Sequence, residues 1–140
     1  MKNEQIIPLL NTISELGNIE ITDLDTALAM VENQEKLTNA HRKNSEALNK
    51  VVVFTDAEKD FSKQLTEAEN QKEFIEKNKA IADSIREKNK RRDEFEKVLM
   101  EKEFKVDLQK IDKKNLLDKK GNLLEGIKLK HIAALKPIIK

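Results

Sequence analysis

From Asp56 to Met100 the chain runs for forty-five residues without a glycine or a proline. Across it Leu65, Ala68, Ile75, Ala82, Ile85, Phe95 and Leu99 recur at three, four or seven residues or near-multiples of these, with charged residues filling most positions between. A single α-helix of that length would span roughly 65 Å, more than a small domain is wide. So narrow a stripe suits a helix that buries one seam rather than the centre of a thick core, and its regularity argues against disorder. The expectation is an elongated helical protein that works by contact.

The rest of the composition agrees. Apolar residues make up 38% of the 140 positions and charged residues another 38%, with a net charge of only +1. An average domain is richer in apolar and poorer in charged residues, whereas a disordered chain would carry more net charge. Long helices with paired surface charges fit this mixture. The charge is unevenly spread: residues 1–60 carry −5, residues 61–101 are neutral and residues 102–140 carry +6. An acidic front and a basic tail attract each other within one chain or between neighbours. There is no cysteine, so disulfides, thiol catalysis and thiolate metal sites are excluded. The N-terminus has no signal-peptide pattern and no stretch approaches eighteen apolar residues. The expected location is therefore the cytoplasm of the producing cell, without membrane contact.

Along the chain, Ile6, Leu9, Leu10, Ile13 and Leu16 predict a short amphipathic helix. Pro8 places its start near Gln5 to Ile7, and Gly17 is read as its cap. Thr22 or Asp23 is a fair N-cap for a second helix running to about Val52. Its apolar face is read as Leu24, Ala27, Leu28 and Val31, continued more weakly by Leu37, Ala40, Leu48 and Val51. Thr55 and Glu58 form a capping box, so a new helix starts after a tight bend at Val51 to Phe54. The two long helices would then make an antiparallel, coiled-coil-like hairpin. Phe61 and Leu65 would oppose Leu48 and Val51, while Ala82, Ile85 and Phe95 would face Leu24, Leu28 and the first helix. Beyond Met100, Phe104, Val106 and Leu108 alternate with Lys105, Asp107 and Gln109, the period of an extended strand. Such a strand would pair with Ile19 to Ile21 or with the valine run, or augment a partner's sheet. Leu124, Ile127, Ala134, Leu135 and Ile138 predict a terminal amphipathic helix ending near Pro137. The fold class is mainly α in one structural unit, with residues 1–102 as hairpin plus first helix and 103–140 as a basic tail.

No catalytic constellation emerges. His41 and His131 stand ninety residues apart with no metal-ligand spacing around them. Carboxylates alternate with lysines, as in Glu69, Lys72, Glu73, Glu76 and Lys77, which solvated ion pairs explain. There is no glycine-rich phosphate loop and no nucleophile elbow. The chain is therefore expected to be no enzyme, with no catalytic, cofactor-binding or metal-binding residues. Candidate protein contacts are Ile75, Ile81, Ile85, Phe95 and Leu99 on the long helix, then Phe104, Val106 and Leu108 by strand addition. Lys88, Lys90, Arg91 and Arg92 are candidate phosphate contacts, although no aromatic lies among them to stack on bases.

The opening Ile7-Pro-Leu-Leu-Asn-Thr-Ile-Ser-Glu-Leu16, the charged hairpin, and Phe95-Glu-Lys-Val-Leu-Met-Glu-Lys-Glu-Phe-Lys-Val-Asp-Leu108 leading to a short helical end resemble small helical proteins of tailed bacteriophages. The resemblance is one of element order. It implies a virion component or an accessory protein, located in the virion in the first case, and carries over no catalytic residue. The leading functional expectation is a structural or adaptor protein assembling with itself or with larger proteins. A nucleic-acid accessory protein and a small inhibitor of a host protein are the alternatives.

Overall fold

Helices begin where the sequence offers a cap. In the computed structural model, which describes residues 1–140, the Asp23 carboxylate accepts from the Thr26 amide at 2.9 Å, and α2 (Leu24–Val51) follows. Thr55 and Glu58 exchange side-chain-to-backbone bonds at 2.9 and 3.2 Å and open α3 (Asp56–Glu67). Before these, α1 (Ile6–Glu15) is flanked by short 3₁₀ turns, the second of which contains Gly17. After them come α4 (Gln71–Lys77), α5 (Lys79–Glu101) and α6 (Leu129–Leu135). The protein is mainly α, and no helix is long and apolar enough to cross a membrane.

The glycine-free run does not form one helix. It breaks at Ala68 to Asn70 and again at Asn78. The Asn70 side chain caps α4 by accepting from the Glu73 amide at 3.1 Å, and the Asn78 amide group donates to the Phe74 carbonyl at 2.9 Å. Asparagine competes for backbone groups in this way without any glycine or proline. The breaks turn α4 back on α3 so that Phe61 and Phe74 stack, with ring centroids 5.2 Å apart. On a straight helix those residues would lie about 20 Å apart.

Two units divide the chain: residues 1–44 with 100–140, and residues 45–99. The division differs from the expected boundary at 102/103. The cause is the tail, whose Ile111, Leu116, Ile127, Leu135 and Ile138 enter one buried cluster with Ile6, Leu9 and Ile13 of α1 and Leu16 of the turn after it. The α2 face bordering this cluster carries Ala29, Met30, Leu37 and Ala40. In the same phase, the fully buried Asn33 donates to the Gln109 carbonyl at 2.9 Å and accepts from the Gln109 amide at 2.8 Å. Residues 103–111 form neither helix nor strand, but the expected alternation of burial holds, with Phe104, Val106 and Leu108 half-buried and their neighbours Lys105, Asp107 and Gln109 exposed. They join no sheet. Their contacts include a bridge from Lys2 to Glu103, the Asn33 clasp, and a bridge from Ile111 to Ile139. Neither Ile19 to Ile21 nor the valine run pairs with this segment. The terminal helix is shorter than expected, because Gly126, at φ +90°, lies before it and Leu124 to Lys128 stay non-helical.

In the 45–99 unit the last turns of α2 run antiparallel to α5. Arg92 donates to the Asn49 side chain at 3.0 Å and Lys88 to the Val53 carbonyl at 3.0 Å, one number rising as the other falls. Leu48, Val52 and Phe61 are buried, with half-buried Leu65, Phe74, Ile75 and Ile85 around them. The core of this unit is small.

Candidate contact surfaces

On α2, periodicity chose correctly at Leu37, Ala40 and Leu48, which are buried, but the wrong stripe in the first turns. Leu24, Leu28 and Val31 are 70%, 58% and 66% exposed, so they do not face Ala82, Ile85 or Phe95 across a hairpin. The buried stripe is Thr26, Met30, Asn33, Leu37 and Ala40, at spacings of four, three, four and three. Two of its members are polar, and that is why an apolar count passes over it. Thr26 is satisfied by Asp23 at 2.7 Å and by the Asn115 amide group at 3.0 Å. α2 therefore presents a buried face and, separately, an exposed apolar row at i, i+4 and i+7.

Of the residues expected to meet a partner, Ile75, Ile81 and Ile85 are half-buried within the 45–99 unit. Phe95 is 42% exposed and stands beside the more exposed Val98, while Leu99 is half-buried. Phe104, Val106 and Leu108 lie together along a groove of about 870 Å³, which Pro8 of α1, Ala133 of α6 and Pro137 also line. Phe104 and Leu108 also pack on the main cluster. A smaller groove of about 450 Å³ is lined by Ile132, Ala133 and Ile139, with Lys113, Lys136 and Lys140 at its margin.

The four candidate phosphate contacts part company. Lys88 is bound to the Glu58 carboxylate and lies over the Phe54 ring at 5.9 Å. Glu58 is buried and also accepts from the Ser84 hydroxyl at 3.0 Å. The Lys88 hydrogen bond, aided by the Thr55 amide, holds the Glu58 carboxyl down at about 2. Arg92 is held by Asn49, and Lys90 and Arg91 alone are exposed. Sequence reasoning missed Glu58 as the partner of Lys88, although Glu58 lies in helical phase with Phe61 and Leu65.

His131 is buried at the start of α6. Its Nδ1 accepts from the Lys128 amide at 3.0 Å, so its Nε2–H donates to the Glu15 carboxylate at 2.7 Å. That bond, reinforced by Lys130 at 3.4 Å, lowers the Glu15 carboxyl below its usual range. The cluster joins α1 to α6 and leaves no nitrogen of the imidazole free. His41 is exposed, and no three His, Asp or Glu side chains converge as metal ligands. Chemically, these surfaces offer apolar rows, shallow grooves and fixed charge. No family model, curated protein or solved structure matches the chain.

Proposed function

We propose that this is a non-enzymatic structural or adaptor protein that assembles through its exposed faces with itself or with larger proteins. The observation that carries this reading is the row Leu24, Leu28 and Val31, three large aliphatic side chains left outside on a helix whose opposite face is fully used. Burying such a row against a partner removes apolar surface from water at roughly 25 cal/mol per Å². An apolar helix face with i, i+4 and i+7 anchors is also a recurrent mode of helix recognition. The resemblance in element order to small tailed-phage proteins extends the proposal to a virion or accessory component, in the virion or the producing cell respectively. The engagement of Lys88 and Arg92 inside the protein weighs against the nucleic-acid alternative.

Gentle extraction of the tagged chain from its producing cell, followed by native mass measurement, tests this. The expected result is a defined complex heavier than the monomer, lost when Leu28→Glu places a charge on the row. A chain that elutes as a lone monomer from fresh extract overturns the reading.

A further inference from the structure

The outward side of α6 sets apolar side chains among lysines. Leu129, Ile132 and Ala133 lie at i, i+3 and i+4, so they share one side of the helix. Its other side, with His131 and Leu135, is buried against the protein. Leu129 is 79% exposed, and the row runs on through Ile132 and Ala133 into the groove of about 450 Å³ that Ile139 also lines. Lys113, Lys136 and Lys140 border that groove and no acid does, while Lys128 and Lys130 flank Leu129. All five lysines are exposed. From Gly126 to Lys140 the chain has no acidic residue. The carboxylates that come near are engaged: Glu15 with His131 and Lys130, and Asp112 with Lys114 at 3.5 Å. Exposed apolar residues of α2 and α5 differ, because charges of both signs surround them. Asp25, Glu32, Glu35 and Lys36 do so around Leu28 and Val31, and Glu94, Lys97, Glu101 and Lys102 around Val98.

We infer that this face of the tail docks on an anionic lipid surface. In that pose α6 lies in the plane of the interface, Leu129 and Ile132 enter the headgroup boundary, and the lysines meet lipid phosphates and carboxylates. The inference goes beyond the contact function proposed above and stands without it, since it does not use the α2 row. Such docking needs no spanning helix, and no helix here is long and apolar enough to be one. Three observations favour lipid over other anionic partners. Cations surrounding exposed aliphatic side chains match a surface that is charged outside and apolar just beneath, whereas a nucleic-acid backbone gives Leu129 nothing apolar to enter. Aromatic stacking on bases is absent too, because Phe104, the one aromatic after residue 100, packs on the main cluster. Finally, every cation after Arg92 is a lysine. Arginine's planar fork suits a carboxylate fixed on a protein, while lysine's point charge on a flexible stem suits mobile headgroups. Because the lysines are exposed, the contact weakens as salt rises.

Co-sedimentation of the full chain with vesicles of phosphatidylcholine, with and without phosphatidylserine, tests this. Binding is expected on the anionic vesicles alone and should be lost at high salt. The double change Lys113→Glu with Lys136→Glu should weaken it by about tenfold or more, since each lysine near an anionic surface contributes about 1 kcal/mol. Leu28→Glu, on α2, should leave it unchanged. These positions are exposed, so folding survives the changes, and unaltered helicity checks that. The chain contains no tryptophan, so Leu129→Trp supplies a single reporter whose emission should shift to the blue on anionic vesicles. No binding, equal binding to phosphatidylcholine alone, or binding unmoved by the lysine changes would each overturn the inference. So would a bound Leu129→Trp chain with unshifted emission, or equally tight binding to duplex DNA, which would mark a bare polyanion site. Vesicle binding by a chain that is a lone monomer in cell extract would support this inference while overturning the protein-contact function.

Discussion

Glu58 shows how one residue type changes meaning with its surroundings. In a chain with 26 acidic residues it is one carboxylate among many, and its capping-box position already accounts for its presence. Burial forces a second role on it, because a desolvated carboxylate must be fully partnered. Lys88, Ser84 and the Thr55 amide supply those partners, and no buried polar side-chain atom is left without one. Since its folded value lies near 2, below that of an unfolded glutamate, the ionised form favours folding. That contribution is fully present above about pH 5 and disappears as pH falls toward 2. Urea unfolding of Glu58→Gln and of wild type should therefore differ near neutrality, with the variant weaker, and the gap should close on acidification through that window. A gap independent of pH would mean the carboxylate's charge contributes nothing. Asn33 carries the same lesson without charge: its amide imitates a neighbouring strand for Gln109, and only its helical phase with Met30 and Leu37 hinted at burial.

At the scale of elements, caps proved more decisive than the absence of breakers. Thr55 with Glu58, and Asp23 before α2, are local signals, and each acts through a hydrogen bond to an amide within three residues. Such short-range chemistry is readable without knowing the fold. The interruption at Ala68 to Asn70 is different in kind. Asn70 is compatible with a helix interior, and what favours the break is the distant reward of stacking Phe61 on Phe74 and of bringing Ser84 to Glu58. Replacing Asn70 by alanine removes the α4 cap and should cost about 1 kcal/mol of stability. It should also raise helical content if the segment straightens. Circular dichroism through a thermal melt reads both, and an unchanged melting temperature would show that the cap is not used. The terminal helix illustrates the converse, since Gly126 was visible in the sequence but its positive φ was not.

For the whole molecule, the two units differ in how much apolar surface they bury. The cluster of α1, α2 and the tail contains thirteen buried side chains, including Leu9, Leu37, Leu116, Leu135 and Ile138 with no exposure. The 45–99 unit buries Leu48, Val52 and Phe61 around one ion pair. Opening free energy follows buried apolar contact, so amides of α3 and α4 should exchange with solvent sooner than those of α1 and α6. Leu135→Ala should destabilise the larger unit by about 2–5 kcal/mol and speed exchange in α1 and α6 together. Hydrogen-exchange mass spectrometry reads both outcomes. Equal protection across the two units would show that they unfold as one.

By itself the sequence determined the helical class, the starts of α2 and α3, the alternating burial from Phe104 to Gln109 and the apolar face of α1. Each follows from periodicity or from a hydrogen bond spanning a few residues, and such forces act before the chain has a fold. It also placed Phe104, Val106 and Leu108 on one side of their segment, since alternation alone demands that. Tertiary structure decided which face of α2 is buried, because Leu24, Leu28 and Val31 compete with Met30, Asn33 and Leu37 for the same core and the tail fits only the second set. It decided too that Lys88 belongs to Glu58 rather than to a phosphate, and that residues 103–140 close over α1. Those outcomes depend on residues thirty to more than a hundred positions apart meeting in space, and no local pattern encodes which distant surface will arrive.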